Sequence, residues 1–475
     1  MTSTGFSTTT FLHKSRSHAQ RLGTVLALFV LICTGPARAQ SASERVLYTF
    51  KGAATSDGAS VYSGLVLAGD GRLYGTTWGG GSRAGGTVFG INPNGSGYAR
   101  LRSFGNGTDG SSIFAGLVQA VDGMLYGTTY YGGISNAGTV FRIGTDGSGY
   151  QILRHFTDTP DASHPRAGLI QGRDGWLYGT TLYGGITNQG TVFKISSDGN
   201  DYAVLHNFMG NFVDGALPYA GLLQGHDGAL YGVTGQGGST LLGTVFRLNT
   251  DGSSYQILHT FESGKGYWPR GALMQGSDGR LYGTTYSGGP TNGGGVVFRL
   301  GTNGLDYTVL HAFPGGAQPW CQLVQASDGL IYGTTEGAGD DKGGTVFRLR
   351  PDGSDFAVLH NFPFASQTDG SGPVAGLTVG DGALLGTTRS GGVGIGVFGT
   401  VYRLVVAPAM NISLSAQGPR VTLTGLSGQS CRLESTTNCA DWSPHANLVL
   451  TDGKAEFVET DLASAPSRLY RAMSE

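Results

Sequence analysis

The stretch DGMLYGTT at residues 122–129 is one of seven copies of a single motif, Asp-Gly-x-Leu-Tyr-Gly-Thr-Thr. The copies follow one another at steps of 50 to 53 residues. A fixed period of this length is typical of repeat architectures, in which each copy forms one structural unit. The tyrosine position of the motif holds Tyr74, Tyr126, Tyr178, Tyr231, Tyr282, Tyr332 and, in the last copy, Leu385.

Each copy contains four strand-like runs separated by turn residues. In the second copy these runs are residues 115–119, 125–129, 138–143 and 150–156, with Asp-Gly or Gly-Gly pairs in the connections. The runs are rich in the β-branched and aromatic residues that fit a pleated sheet, and Asp-Gly pairs tolerate the positive φ angles of tight hairpins. Four antiparallel strands in about fifty residues match one propeller blade, so we expect an all-β, seven-bladed propeller over residues 45–404.

The two ends of the repeat region complement each other. The last copy has only three strand-like runs, between Ala375 and Leu404, whereas residues 45–50 carry the Leu-x-x-Phe pattern of a fourth run. We therefore predict that this N-terminal strand completes the last blade, closes the ring and pairs an edge that would otherwise be open. The phenylalanines of the fourth runs are Phe50, Phe104, Phe156, Phe208, Phe261, Phe313 and Phe362.

Composition and charge exclude several classes of protein. Glycine contributes 85 of 475 residues, but the chain is 39% hydrophobic and 10% aromatic, which a disordered low-complexity chain would not be. The net charge is −2, so the chain has no basic field for nucleic acid. No motif for a metal or a cofactor is recognisable, and we expect neither. We also expect a monomer.

The first 39 residues have the pattern of a secretory signal peptide. A positive segment precedes an apolar run at residues 22–35, and Ala37-Arg38-Ala39 supplies a cleavage site. The apolar run is too short to span a bilayer comfortably, and no other run reaches spanning length. We expect cleavage after Ala39 and a secreted, periplasmic or cell-surface protein.

Residues 409–475 form a separate C-terminal segment that looks like a small β-sandwich domain. Cys431 and Cys439 lie close together in it, and we expect a disulfide between them in an oxidising compartment. Cys321 has no such neighbour, and we expect a buried, unreactive thiol on a core strand.

The repeat region resembles the GloVer tandem-repeat proteins, the "choice-of-anchor" group of exported bacterial proteins. The resemblance covers residues 45–404 and rests on the motif above, followed by Gly-Gly and then Gly-Thr-Val-Phe, in seven copies. It implies an exported repeat protein and brings no catalytic residues to this chain.

One register at the start of the innermost strands carries the candidate binding residues. Because equivalent positions of rotationally related blades lie on one circle, these side chains should surround the mouth of the central channel. In five blades a proline precedes the position and fixes the direction of the side chain. Aromatic faces and arginine forks suit sugars and carboxylates. The residues in this register are Tyr62, Phe114, Arg166, Tyr219, Arg270, Trp320 and Val374, and the ends of the second strands add Trp78, Tyr130, Tyr286, Glu336 and Arg389.

Several interpretations of this chain remain open. The ring of side chains either binds a ligand or only plugs the top of the channel. We favour an exported, non-enzymatic binding or scaffold module that contacts a polysaccharide or another cell-surface component. The alternative is a carbohydrate-active enzyme, a polysaccharide lyase or a glycosidase, that uses Arg with His or Tyr on this face. No catalytic motif supports that alternative, and propeller enzymes are an analogy of fold only.

Overall fold

The computed structural model describes the chain from residue 42 to residue 474 with short gaps. The predicted signal peptide and Cys439 lie outside the described residues. The described ranges are residues 42–105, 107–290, 293–364, 369–392, 394, 398–415, 418–436, 442–459 and 469–474.

The described residues are almost entirely β-structure and turns, which confirms the all-β class. They contain two single-turn 3₁₀ helices, Ala53–Thr55 and Ser263–Lys265, and seven four-stranded antiparallel sheets. We number the sheets 1 to 7 by the copy of the motif that each contains, and we name the strands a to d from one edge to the other. The a strands are Val66–Leu67, Val118–Gln119, Ile170–Gln171, Leu223–Gln224, Met274–Gln275, Val324–Gln325 and Thr378–Gly380. The b strands are Leu73–Thr77, Leu125–Thr129, Leu177–Thr181, Leu230–Thr234, Leu281–Thr285, Ile331–Thr335 and Ala383–Thr388.

The outer half of each sheet consists of a c strand and a d strand. Six d strands follow their c strands in sequence, and the d strand of sheet 7 comes from the N-terminal end of the described chain. The c strands are Thr87–Ile91, Thr139–Ile143, Thr191–Ile195, Thr244–Leu248, Val296–Leu300, Lys342–Leu349 and Thr400–Val406. The d strands are Ala99–Ser103, Gln151–His155, Tyr202–Asn207, Gln256–Thr260, Thr308–Ala312, Ala357–Pro363 and, in sheet 7, Ala42–Thr49.

The innermost strands are shorter than the sequence indicated. In sheet 2 the a strand is Val118–Gln119 rather than residues 115–119. The preceding residues cross the crowded centre, where backbones of neighbouring sheets approach closely. A Cβ atom on Gly168 would lie 3.0 Å from the carbonyl oxygen of Gly116 in the previous sheet. Only glycine leaves room for this approach without displacing a neighbour.

Five residues of the repeated motif have distinct structural roles. The buried Tyr126 hydroxyl donates to Oδ2 of Asp122 at 2.6 Å, and Oδ1 of the same carboxylate accepts the turn N–H of Met124. The aspartate therefore shapes the turn and also anchors the tyrosine, whereas the sequence alone indicated only the turn. Gly127 makes room for a phenylalanine, because its Cβ atom would lie 2.6 Å from Cζ of Phe141.

The two threonines of the motif bond in opposite directions. In sheet 2, Thr129 Oγ1 lies 2.9 Å from Thr139 Oγ1 on strand c, within the same sheet. Thr128 Oγ1 donates to the carbonyl oxygen of Ala167, at the entrance to strand a of sheet 3. The first threonine therefore joins neighbouring sheets, and the second joins neighbouring strands.

Sheet 7 is composite. Strand Ala42–Thr49 pairs antiparallel with Thr400–Val406, as the sequence predicted for the N-terminal strand. Sheet 7 contacts sheet 1 through the same kind of bond that joins other sheets, since Thr387 Oγ1 donates to the carbonyl oxygen of Ser63 at 2.8 Å. Thr378 Oγ1 likewise donates to the carbonyl oxygen of Leu65. The first and last sheets are thus neighbours in space.

Short two-stranded ribbons, which the sequence did not indicate, join the d–a connections to the b–c loops. They place the Gly-Gly loops and the starts of the a strands on one face of the molecule. The ribbons are Gly58–Ala59 with Gly79–Gly80, Ala162–Ser163 with Tyr183–Gly184, Gly215–Ala216 with Gln236–Gly237, and Gly370–Ser371 with Ser390–Gly391.

The C-terminal segment forms two three-stranded sheets that share a small core around Val421, Leu433 and Leu450. Its loop at residues 425–429 contacts the propeller-like part: Ser427 N–H donates to Ser327 Oγ, and Leu426 packs among side chains of sheets 6 and 7. One sheet consists of Ala409–Ser415, Gly418–Thr424 and Lys454–Val458, and the other of Ser430–Thr436, Ser443–Val449 and Leu469–Ser474. Among the described residues, no helix has the length and apolar character needed to cross a membrane.

Candidate functional site

A repeated backbone conformation aims the candidate residues at one point. Two positions before each of them stands a residue with positive φ, such as His164 at 55° and Trp268 at 56°. Such a conformation is uncommon for residues other than glycine, so the surroundings must hold it. The N–H of His164 donates to the Ala137 carbonyl of the previous sheet, and its own carbonyl accepts the N–H of Leu182. A proline then fixes the direction of the next side chain in five sheets.

The six side chains predicted from the sequence surround one cavity. It has a volume of about 160 Å³, and Val374 of sheet 7 completes its rim. A second cavity of about 560 Å³ is lined by residues of the a strands and the residues just before them. The two cavities share the register of Gly168, which holds glycine in five sheets, Ala272 in sheet 5 and Gln322 in sheet 6. The six residues of the rim are Tyr62, Phe114, Arg166, Tyr219, Arg270 and Trp320.

Two arginines cross this rim and lie against aromatic rings. The guanidinium carbon of Arg166 is 4.6 Å from the Phe114 ring centroid and 5.0 Å from that of Trp320, three sheets away. Arg270 lies 5.0 Å from the same tryptophan and 4.0 Å from Tyr286. Such cation–π contacts hold a guanidinium plane in place while leaving N–H groups free to donate.

In the part of the chain that the structure describes, neither arginine has an acidic partner. Among the described residues, no carboxylate lies within ion-pair distance of Arg166 or Arg270, although many arginines elsewhere in the chain are paired. Burial lowers the pKa of Arg166, and the nearby charge of Arg270 lowers it further. The rim therefore holds two partly desolvated positive charges that an anion would compensate.

Aromatic side chains extend the rim on the side of sheets 1 to 3. Trp78, whose exposed fraction is 40%, contacts Tyr62 and Phe114 edge-on or tilted. Phe114 in turn lies 5.3 Å from Tyr130. Tyr286 contacts Trp320 on the opposite side. The structure thus brings the three added candidates, Trp78, Tyr130 and Tyr286, against the rim, although they do not line the cavity itself.

Three residues outside the predicted site, His164, Tyr131 and Tyr183, continue the row of aromatic side chains beside Tyr130. His164 lies 5.0 Å from Tyr130 and also contacts Tyr131 and Tyr183, all edge-on. Burial lowers the pKa of His164, an effect that the nearby Asp158 opposes. Tyr131 and Tyr183 occupy one register, two residues after the end of strand b, so the repeat alignment carried a signal for them.

The remaining charged pair of the register compensates itself. Arg389 Nη1 lies 2.5 Å from Glu336 Oε1, and the Arg389 guanidinium is 5.9 Å from the Tyr62 ring. These two residues therefore close the rim on the side of sheets 6 and 7 without adding net charge. The positive character of the rim comes from Arg166 and Arg270.

The recurrent histidines of the d strands lie away from this rim and have a packing role. His206, His259 and His311 each stack on an aromatic ring of the next sheet, with ring centroids 3.5 to 4.0 Å apart.

Of the cysteines, Cys321 is 1% exposed, and its Sγ accepts the N–H of Thr334. Cys431 is buried on strand Ser430–Thr436. Because Cys439 lies outside the described residues, the disulfide between these two residues stays a prediction.

Comparison with known protein families supports the repeat. A sequence model described as the Gloeobacter/Verrucomicrobia repeat matches residues 37–225 and 210–402. None of the curated protein sequences matches the chain.

Solved structures similar to the chain share little sequence with it. One is the extracellular domain of a protein assigned to a one-component system from B. thetaiotaomicron, with a TM-score of 0.48 at 11% identity over 89% of this chain and 54% of that chain. Another is an oligogalacturonate lyase from Vibrio parahaemolyticus, with a TM-score of 0.48 at 10% identity over 77% of this chain and 97% of that chain.

Proposed function

The chain belongs to the Gloeobacter/Verrucomicrobia repeat family, and we propose that it is an exported binding module that holds acidic oligosaccharides at the rim around Arg166 and Arg270. The family match confirms the resemblance inferred from the motif. One observation carries the proposal: two guanidinium groups, which have no carboxylate partner among the residues that the structure describes, lie among aromatic side chains.

The proposal includes a closed seven-bladed ring as the scaffold. The ring is supported by hydrogen bonds between sheets 7 and 1 that match the bonds between other neighbouring sheets. The Ser60 N–H donates to the carbonyl oxygen of Phe398, as the His164 N–H donates to that of Ala137. The six rim residues come from six different sheets, so a ring is the simplest scaffold that holds them together.

The chemistry of the rim favours a uronate over a neutral sugar. A pyranose ring offers an apolar face to Trp320, Tyr62 or Trp78, and aromatic contacts of this kind contribute about 0.5–1.5 kcal/mol each. A uronate carboxylate can receive a bidentate, charge-assisted pair of hydrogen bonds from an arginine. Several such contacts, after the cost of association, correspond to millimolar to micromolar affinity.

The experiment is a binding titration of the purified chain with oligomers of uronic acids and with neutral oligosaccharides of matched length. We expect binding of the acidic series only. The double variant Arg270→Ala with Trp320→Ala should abolish it and leave the melting temperature nearly unchanged. The matched control is Trp176→Ala with Lys194→Ala, because this pair is also a cation over a tryptophan ring, at 4.6 Å, but lies away from the rim.

Two results would contradict the proposal. If the wild-type chain binds no acidic oligosaccharide and the rim variant melts far lower, the side chains form a structural plug. If the control variant loses binding to the same extent, the ligand does not contact the rim.

An enzymatic function is the second candidate, because the structure brings His164 beside Tyr130 near the arginines. The same titration, followed over hours by chromatography of the oligosaccharide, distinguishes the two functions. Recovery of intact ligand supports a binding module, and shortening of the ligand supports a carbohydrate-active enzyme.

A further inference from the structure

Six of the seven boundaries between neighbouring sheets have a recurring contact on the outer strands. The fourth run of each copy ends in a phenylalanine. The side chain two residues before that phenylalanine lies against an aromatic ring at the start of strand d in the next sheet. At the boundary of sheets 3 and 4, these are His206 and Tyr255, with ring centroids 3.7 Å apart. Asp214 from the intervening loop accepts hydrogen bonds from both side chains. Asp57 and Asp161 do the same at other boundaries.

The boundary of sheets 6 and 7 keeps two of these three residues and replaces the third. His360 and Asp369 correspond to His206 and Asp214. The aromatic residue stands six positions before the phenylalanine of its run, as Tyr255 stands before Phe261. Counted from Phe50 in the N-terminal strand, that position is Glu44. A carboxylate therefore stands where five boundaries have a tyrosine and one has Phe356.

The replacement brings three metal-binding groups together. His360 Nε2 lies 3.0 Å from Asp369 Oδ2, and one ligand atom from each of Glu44, His360 and Asp369 lies within 4.8 Å of the other two. All three side chains are largely withdrawn from solvent. Glu44 Oε1 is buried and has no hydrogen-bond partner among the described residues. Leaving a buried carboxylate oxygen without a partner is costly.

The replacement also changes the hydrogen bonding at this boundary. Tyr255 donates a hydrogen bond to Asp214 at the boundary of sheets 3 and 4, whereas an ionised Glu44 offers Asp369 only a second acceptor. A cation bound between the two carboxylates would compensate both of them.

We propose that Glu44, His360 and Asp369 bind one divalent transition-metal ion of the Zn²⁺ class. Two carboxylate oxygens and one imidazole nitrogen are a donor set that Zn²⁺ accepts, with a fourth position left for water. The imidazole disfavours Ca²⁺ and Mg²⁺, which prefer oxygen ligands. The sequence predicted no metal, because Glu44 is more than three hundred positions from His360 and Asp369 and the three residues form no motif.

The position of the site suggests what the ion does. Glu44 lies on the N-terminal strand that completes sheet 7, and His360 lies on the outermost strand of sheet 6. An ion held by both would tie the terminal strand to the neighbouring sheet at the joint of the ring. The bound ion would take the place of the tyrosine contact seen at other boundaries. It would stabilise the folded chain because it binds the folded state and not the unfolded state.

The test uses the purified chain without a histidine tag, stripped of metal with a chelator and titrated with ZnCl₂ by calorimetry. We expect one Zn²⁺ per chain and a higher melting temperature with the ion bound. Glu44→Tyr restores the residue of the other boundaries. It should lower the zinc affinity by at least tenfold. Loss of a residue that only hydrogen-bonds to a metal ligand already lowers metal affinity about 10- to 100-fold. Glu44→Gln should do the same with less change in shape.

The matched control is His206→Ala, which removes the equivalent histidine at a boundary that has a tyrosine. It should lower the melting temperature of the metal-free chain but leave zinc binding unchanged. The proposal is overturned if the wild-type chain binds no zinc at one-to-one stoichiometry, or if both Glu44 variants bind it as tightly as the wild type. Equal affinity for Ca²⁺ would contradict the assignment to the transition-metal class.

Discussion

Sheets 1 to 6 are each formed by one continuous stretch of chain, whereas sheet 7 joins strands from the two ends of the repeat region. The composite sheet keeps the contacts that hold strands and sheets together, such as the Thr388–Thr400 pair and the bond from Thr387 to Ser63. It changes the residues that surround them. Leu385 replaces the tyrosine of the motif, Tyr402 replaces the phenylalanine of strand c, and Glu44 replaces the outer tyrosine.

Comparing sheet 7 with sheet 2 shows which contacts the composite sheet keeps and which it loses. The backbone ladder and the threonine bonds are present in sheet 7 as in sheet 2. The bond from a motif tyrosine to its turn aspartate is absent from sheet 7, because Leu385 has no hydroxyl. Its a–b turn is one residue shorter and places Asp381 at a φ of 52°. The C-terminal segment contacts this altered turn, since a Cβ atom on Gly382 would lie 2.5 Å from Cα of Gln429.

The largest expected effect comes from removing the strand that makes sheet 7 composite. A chain that begins at Lys51 should be less stable than one that begins at Ala42 by several kcal/mol, because the ladder to Thr400–Val406 and the fully buried Phe50 are lost together. Thermal melting of the two chains measures this. Equal melting temperatures would show that the N-terminal strand does not complete the ring.

A pair of hydroxyl deletions should have opposite signs in the two kinds of sheet. Tyr231→Phe in sheet 4 removes a bond to Asp227 and should cost about 1 kcal/mol. Tyr402→Phe in sheet 7 removes a buried hydroxyl that has no hydrogen-bond partner among the described residues, and it restores the residue of the other sheets. It should stabilise the chain by about 1–2 kcal/mol. Urea unfolding of both variants decides this, and a destabilised Tyr402→Phe would show that its hydroxyl is satisfied.

The boundary of sheets 4 and 5, both of which are formed by continuous stretches of chain, should make the protein less stable in mild acid. Burial lowers the pKa of His259 from 6.5 to about 4 in the folded chain. Below pH 6.5 the unfolded chain therefore binds a proton that the folded chain does not, so stability falls as the pH drops from 6.5 towards 4. His259→Phe keeps a ring against Tyr307 and should reduce this slope in melting experiments at several pH values. Replacement of the exposed His226 is the control, and an unchanged slope for His259→Phe would contradict the prediction.

The smallest effect is expected at Cys321, which stands where sheets 2, 3, 4 and 7 have alanine. Burial raises the pKa of its thiol, so the native chain should not react with iodoacetamide. Cys321→Ala should change the free energy of unfolding by less than about 1 kcal/mol. Mass spectrometry after alkylation reports the labelling and also tests the predicted Cys431–Cys439 disulfide. Rapid labelling of native Cys321 would show that the start of this a strand opens to solvent.

Much of the candidate site could be read from the period of the repeat. Tyr62, Arg270 and Trp320 share a register, and a rotational arrangement requires equal registers to lie on one circle. The register does not specify where a long side chain points. Arg166 reaches Trp320 three sheets away because both side chains extend towards the same cavity, and no pattern along the chain encodes that distance.

The sequence by itself determined the β-class, the fifty-residue unit and the strand that completes sheet 7, because hydrophobic patterning, turn residues and periodicity are local properties of the chain. Only the tertiary structure decided that Arg166 and Arg270 lie against aromatic rings, with no carboxylate partner in the described ranges, and that Glu44 meets His360 and Asp369. Ion pairing and metal binding depend on separations of a few ångströms between residues more than three hundred positions apart. Such separations are set by how the sheets pack around their common centre.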